Sequence, residues 1–135
     1  MKNRGKINAY KRKRYHTDPT YRLKKLIRKA VRRLHSKSKK TSILLGCTWE
    51  YFNQWIKSQM SDTMTFDTIH IDHMIPLASF DLTKPEEQRK VSHYTNLQPL
   101  TPYENMSKGN RIVYDMRWNG QQWEIKHDGV YVPRD

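Results

Sequence analysis

Apolar residues recur at helical spacing in two parts of the chain, and polar residues mark where each helix begins. After Asp18 and Pro19, apolar side chains follow every third or fourth residue as far as Leu34. Asp18 suits an N-cap and Pro19 the first helical position. A second stripe follows Thr48, another plausible cap. Its side chains are Phe52, Trp55, Ile56, Gln59 and Met60. Both stripes predict amphipathic helices that face a core, although the first also allows a membrane surface and the second base stacking.

Short strands and one capped helix are predicted in the middle of the chain. Alternation and β-branched residues predict a strand at 69–73, after a polar loop, and a second strand at 97–100. Thr101 and Glu104 flank a proline in a capping-box pattern. This pattern predicts a helix over 102–108, which the following glycine ends. The order is therefore strand, strand, helix.

Thr83 and Pro85 indicate the start of a short polar helix at 84–93, and alternating apolar residues predict a small antiparallel meander near the C-terminus. Turn signals at Asn119-Gly120 and Asp128-Gly129 separate alternating apolar runs. Trp118 and Trp123 are expected in the meander core, with stacking on bases as the alternative. No internal repeat is visible.

Charge is concentrated at one end of the chain. Residues 1–45 hold 17 Lys/Arg against one acid, a net charge of +16, whereas residues 46–135 hold 9 Lys/Arg against 12 acids, a net charge of −3. Such a block attracts polyanions, and nucleic acid is the expected partner; a merely solvated basic arm is the alternative. Residues 1–17 lack an apolar period and are expected to be disordered until they meet a partner. The basic back of the first helix is expected to bind DNA through Lys24, Lys25, Arg28, Lys29, Arg32 and Arg33.

Length and cysteine content set further limits. A chain of 135 residues is about one domain's worth, with one modest core. The single cysteine, Cys47, excludes an internal disulfide and a zinc site built from cysteine pairs, and it favours a reducing compartment. No apolar run approaches the ~20 residues of a membrane span, and the N-terminus lacks the apolar block of a secretory signal. We expect a soluble, cytoplasmic protein without a membrane partner.

The stretch IHIDHMIPLASF, residues 69–80, carries the candidate chemistry. Asp72 and His73 stand side by side in an otherwise apolar run. A buried charge costs several kcal/mol unless it has partners, so the pair needs either structural partners or a function. Phosphodiester hydrolysis with a metal needs oxygen ligands, which Asp72 and Asn105 supply, and a base, which His73 supplies. The amide of Asn96 is able to fix backbone or imidazole.

These segments resemble the HNH endonuclease family, in which two short strands and a helix hold one cation. The resemblance covers IDHMIPLASFD, HYTNLQPL and ENMSKGNR, continuous over about 69–111, and the helix before them looks like that of small phage-type members. It implies an α+β fold with a ββα-metal (HNH, or His-Me finger) core. N-terminal basic helices would precede this core and a C-terminal antiparallel β meander would follow it. We expect a basic DNA-binding arm and amphipathic helix at 1–45, the nuclease core at 46–110 and the meander at 111–135.

The resemblance assigns roles residue by residue. Asp72 and Asn105 become metal ligands, His73 the general base, and Asn96 the residue that steadies the loop bearing the base. The basic side chains of Lys108 and Arg111 are possible phosphate contacts. His70 and His93 are expected to line the site or to serve as strand or loop hydrogen-bonders; His16, His35 and His127 are expected at the surface. The implied products carry 5′-phosphate and 3′-hydroxyl ends.

The sequence departs from the histidine-rich form of the motif, because Asn105 and Gly109 stand where that form has two helix imidazoles. Oxygen ligands alone favour Mg²⁺ or Mn²⁺ over Zn²⁺. Asp72 and His73 would point to opposite faces of a regular strand, so the strand must end or bulge there. As a hypothesis, the chain is a nuclease that nicks or cleaves double-stranded DNA in a phage- or virus-infected host cell. The resemblance to small phage-type members favours a mobile-element nuclease over a packaging factor or a defence enzyme. The alternative is a non-catalytic DNA-binding or packaging accessory protein with the same fold; an RNA substrate is less favoured.

Overall fold

The fold was obtained as a computed structural model, which describes residues 4–18, 21, 25, 28, 29 and 41–135. These residues form helices and two separate antiparallel sheets, which confirms the expected α+β class. Within these residues, no helix is both long and apolar enough to cross a lipid bilayer.

The N-terminal segment forms a helix, α1 (Arg4–Thr17), so the expectation of a disordered arm is wrong for these residues. Lys, Arg, Tyr and Ala are compatible with a helix on their own, and the missing apolar period means only that α1 buries no continuous face. From Gly5 to Thr17 its residues are exposed except for the half-buried Tyr15. Local contacts support its C-terminal end, where Thr17 Oγ1 donates to the Lys13 carbonyl at 2.8 Å and Arg14 pairs with Asp18 at 3.6 Å.

The predicted cap of the next helix is confirmed, since Asp18 Oδ1 accepts a hydrogen bond from Tyr21 N at 3.2 Å. Between Asp18 and Thr41 the described residues are Tyr21, Lys25, Arg28 and Lys29, and all four are helical. The whole apolar stripe, from Leu23 to Leu34, lies outside the described residues, as do Lys24, Arg32, Arg33 and His35.

Two helices carry much of the core. The first is α2 (Thr41–Leu45). The second is α3 (Trp49–Gln59), whose predicted Thr48 cap is confirmed because Thr48 Oγ1 accepts from Tyr51 N at 3.1 Å. The predicted stripe of α3 is also confirmed as a core face rather than an exposed stacking surface. The central cluster consists of Leu45, Phe52, Trp55, Ile56, Ile69 and Leu97.

The strand, strand and helix order is confirmed around this core. β1 (His70–His73) pairs antiparallel with β2 (Leu97–Leu100), and His73 lies opposite Leu97. The polar helix predicted between them is α4 (Pro85–Ser92). After β2 comes α5 (Pro102–Lys108).

The capping box that starts α5 is also confirmed. Thr101 Oγ1 accepts from Glu104 N at 3.1 Å, and Glu104 Oε1 accepts from Thr101 N at 3.0 Å. Gly109 ends the helix with a φ of 53°, a conformation that favours glycine. Both ends of α5 are therefore fixed by local sequence.

The predicted meander is a second sheet of three strands, β3 (Met116–Trp118), β4 (Trp123–His127) and β5 (Val130–Pro133). Asp128 and Gly129 both have positive φ, 49° and 81°, as a two-residue type I′ turn requires. Trp123 is buried and its ring meets that of half-buried Trp118 edge to face at 5.7 Å. The Trp123 indole donates to the Lys90 carbonyl at 2.6 Å, so the meander is bound to the end of α4.

Candidate functional site

Asp72 and His73 lie at the end of β1, where an open cleft of about 240 Å³ is found. The pairing with β2 is regular through His73 and the strand then ends, which is one of the two arrangements expected. Asp72, His73 and Asn105 all line this cleft. The rest of its wall consists of Ile71, Pro76, Leu77, Gly109 and Asn110. The two predicted ligands and the predicted base therefore share one solvent-accessible space.

The Asp72 side chain is buried and has polar contacts with Gln98 and Lys108. Gln98 Nε2 donates to its Oδ2 at 2.9 Å, and Lys108 Nζ lies 3.4 Å from each carboxylate oxygen. Burial raises the pKa of Asp72 above its ordinary value, although the contacts with Gln98 and Lys108 act in the opposite direction. Gln98 was not among the predicted site residues. It lies directly opposite Asp72 in the β1–β2 pairing, so a correct alignment of the two predicted strands would have identified it.

Asn96 is fully buried and binds the segment that follows His73. Its Oδ1 accepts from Ile75 N at 2.8 Å, while its Nδ2 donates to the carbonyls of Ile75 and Val91 at 3.1 and 2.9 Å. The Asn96 carbonyl also accepts from Met74 N at 2.8 Å. One asparagine thus holds the two residues after His73 against α4.

Asn105 extends from α5 to the same cleft and contacts exposed His70. The two side chains meet with Asn105 Nδ2 3.1 Å from His70 Nδ1. Since an amide nitrogen only donates, His70 Nδ1 accepts. The contact uses the amide nitrogen of Asn105, and the amide oxygen is the atom that a cation would take.

Lys108 and Arg111, the possible phosphate contacts, both make hydrogen bonds within the protein. The Lys108 side chain is buried, and its Nζ also donates to the His73 carbonyl at 3.1 Å. Arg111 is folded back on the end of α5, donating to the carbonyls of Ser107 and Lys108 at 2.6 and 3.2 Å. Both side chains therefore already have hydrogen-bond acceptors within the protein.

His93 does not line this cleft, which corrects one of the two expectations for that residue. Its ring stacks on Tyr94 with centroids 4.7 Å apart, and Nδ1 lies 2.7 Å from Thr95 Oγ1. A Cβ at Gly46 would lie 2.7 Å from the imidazole, so only glycine fits there. Burial lowers the pKa of His93 to about 4, which keeps it neutral at physiological pH. His93 is therefore a packing and hydrogen-bonding residue. Of the histidines expected at the surface, His16 and His127 are exposed.

The N-terminal basic segment lies close to His70. A second cleft, of about 460 Å³, is lined by His70 from β1, Tyr15 from α1 and Lys29 from the following helical segment. Arg28 and Lys29 are exposed and Lys25 is half-buried. Because His70 also contacts Asn105, the two clefts are neighbours. The Lys29 side chain is thereby placed near the candidate site.

The donor set fits a hard, hydrated cation. Asp72 offers a carboxylate and Asn105 an amide oxygen at an open cleft, which leaves room for water and a phosphate oxygen; magnesium sites commonly combine one or two carboxylates with such ligands. Among the residues that the structure describes, no group of three or more His, Cys, Asp or Glu could hold a metal ion. Carboxylate and amide oxygens are ligands typical of Mg²⁺ and Mn²⁺ sites, whereas Zn²⁺ sites usually include histidine or cysteine.

Two proteins of Acanthamoeba polyphaga mimivirus, uncharacterized protein L426 and uncharacterized protein L246, are similar to this chain. The first is 37% identical over 120 residues, which cover 84% of this chain and 53% of the relative. The second is 33% identical over 104 residues, which cover 73% of this chain and 46% of the relative. The chain spans about half the length of the curated relatives it matches. No family model and no solved structure matches it.

Proposed function

We propose that the chain is an HNH-type endonuclease that nicks or cleaves DNA with one divalent cation. The observation that carries this proposal is that Asp72, His73 and Asn105 line one cleft. Asp72 and His73 lie on β1, and Asn105 lies on α5, the helix that follows β2. A carboxylate, an imidazole and an amide oxygen are the groups that metal-assisted phosphodiester hydrolysis needs. Two relatives from a virus make an infected host cell the proposed place of action.

Each residue has a distinct role in the proposed reaction. Asp72 and Asn105 would hold Mg²⁺ or Mn²⁺, which when bound supplies positive charge for the scissile phosphate and the leaving oxygen. His73 removes the proton from the attacking water. Asn96 keeps the backbone after His73 fixed through its three side-chain hydrogen bonds, which maintains the position of the imidazole. Water attack breaks the bond between phosphorus and the 3′ oxygen, which takes a proton from solvent, so the ends are 5′-phosphate and 3′-hydroxyl.

Cleavage of supercoiled plasmid tests this function directly. The protein is expected to relax the plasmid in Mg²⁺ or Mn²⁺ and to stop when a chelator is added, because the phosphate then loses its stabilising charge. Agarose gel electrophoresis measures the loss of the supercoiled form. Equal relaxation in the presence of chelator, by protein free of contaminating nuclease, would contradict a cation-dependent site. Matched RNA and DNA duplexes in competition decide the substrate.

Binding to DNA is proposed to be mainly ionic and to depend on the N-terminal basic residues. The triple variant Lys25→Gln, Arg28→Gln, Lys29→Gln is expected to reduce the slope of log affinity against log salt by about 0.9 for each phosphate that is no longer neutralised. Fluorescence anisotropy with a labelled duplex measures this slope. As a matched control, Lys57, Lys84 and Arg89, which are exposed and lie outside the N-terminal segment, are replaced by glutamine in the same way. This variant should leave the slope unchanged. The reverse outcome would place the DNA on another face.

A non-catalytic DNA-binding or packaging accessory protein is the second candidate. The ion pair between Lys108 and Asp72 favours it, because the carboxylate already has a cationic partner in the protein. Such a protein would bind DNA with the same affinity in chelator and in Mn²⁺, and would leave the plasmid supercoiled in both. DNA binding that strengthens with Mn²⁺ would argue against this role.

A further inference from the structure

A buried ammonium group contacts both residues of the Asp72-His73 pair. Lys108 Nζ lies 3.4 Å from both carboxylate oxygens of Asp72 and donates to the His73 carbonyl at 3.1 Å. The Lys108 and Asp72 side chains are only 7% and 8% exposed. Lys108 is carried by α5 and the pair by β1, so this contact joins the two elements that would hold the cation.

The ammonium opposes a second cation at the same carboxylate. Like charges a few ångström apart repel, and burial weakens the screening that water would provide. Asp72 and Lys108 together carry no net charge, and the other proposed ligand, Asn105, is neutral. A divalent ion that enters the free protein therefore finds little attraction.

A DNA strand changes this balance. Each phosphodiester brings a negative charge and oxygen ligands of its own, and magnesium is typically held by few protein groups plus substrate phosphates. With the phosphate in the cleft, the positive charges of Lys108 and of the metal are both compensated. The cation and the substrate then stabilise each other's binding, as linkage requires.

We propose that Lys108 is a positioning residue that holds the Asp72 carboxylate in the free protein and makes divalent-cation binding depend on DNA. This inference rests on the proposed nuclease function and deepens it. It assigns Lys108 an action through Asp72 and not a direct contact with the scissile phosphate.

Mn²⁺ binding tests this role without using cleavage. The protein with His73→Ala, which is expected to leave DNA uncut, is titrated with Mn²⁺ by electron paramagnetic resonance, with and without a DNA duplex; ions bound by the duplex alone are subtracted. Adding Lys108→Met is expected to tighten binding without DNA by at least about tenfold, since the opposing charge is gone. The duplex should tighten binding by at least about tenfold in the protein that keeps Lys108, and by less in the Lys108→Met variant.

Arg111→Met provides the matched control. It removes one positive charge from the same end of α5, but the Arg111 guanidinium donates to the backbone carbonyls of Ser107 and Lys108 and not to Asp72. Without DNA, we expect Mn²⁺ affinity within about twofold of the parent, because repulsion by a solvent-screened charge is weak.

The outcomes separate this inference from the proposed function. Equal or weaker Mn²⁺ binding by folded Lys108→Met overturns the inference while leaving the nuclease proposal intact, and weaker binding is what a purely structural lysine predicts. Absence of Mn²⁺ binding from every variant, with DNA present, overturns both. If Lys108→Met does not melt cooperatively, the test uses only the His73→Ala protein that keeps Lys108. Equal Mn²⁺ affinity with and without duplex then overturns the inference, and a tenfold gain with duplex supports it.

Discussion

Replacing His73 with alanine is expected to slow plasmid nicking by between about a hundredfold and about ten-thousandfold, the range that a positioned general base contributes. The imidazole lines the cleft beside Asp72 and Asn105, and in the proposed reaction it alone removes the proton from water. DNA affinity should stay unchanged, because His73 is not among the residues proposed to bind phosphate. Initial nicking rates and duplex anisotropy on the same preparation measure both quantities.

His127→Ala is the matched control for this substitution. His127 ends β4 and its side chain is 78% exposed, next to Asp128. The same chemical change there should leave the nicking rate within about twofold of the parent. A His73→Ala protein that nicks as fast as the parent would remove His73 from the role of base.

Replacing Asp72 with alanine should abolish nicking and also destabilise the fold. The change leaves the buried ammonium of Lys108 without its carboxylate, and loss of one partner from a buried ion pair typically costs about 3–5 kcal/mol. We expect about 3 kcal/mol, the lower end, because the cleft beside Asp72 is open to water. Urea unfolding followed by circular dichroism measures the free energy of unfolding.

The double variant Asp72→Ala, Lys108→Met separates the two effects. Removing both charges eliminates the unpaired ammonium, so most of the lost stability should return. Nicking should remain absent because the proposed metal ligand is still missing. Recovery of nicking together with stability would show that Asp72 serves the fold and not the reaction.

Local sequence signals predicted much of the fold. The capping box at Thr101 and Glu104, the N-caps at Asp18 and Thr48, and the turn at Asp128-Gly129 each depend on neighbouring residues, and all four are present in the structure. The helix α1 was missed because apolar periodicity reports burial of a face, and α1 has no such face.

The candidate site was predictable in part. Asp72, His73 and Asn105 share one cleft, as the resemblance implied, because the strand, strand and helix order brings them there. Gln98 and the ion pair of Lys108 depend on which residues face each other across β1, β2 and α5. That information is tertiary, so spacing along the chain does not contain it. The same holds for His93, whose fit against Gly46 joins distant segments.

The most direct measurement is the anomalous scattering of Mn²⁺ in crystals of the His73→Ala protein bound to a DNA duplex. We expect one manganese peak within about 2.5 Å of both an Asp72 carboxylate oxygen and the Asn105 amide oxygen, with a backbone phosphate beside it. Crystals that hold the DNA at this cleft without manganese there, or with manganese on other residues, would contradict the proposed metal site.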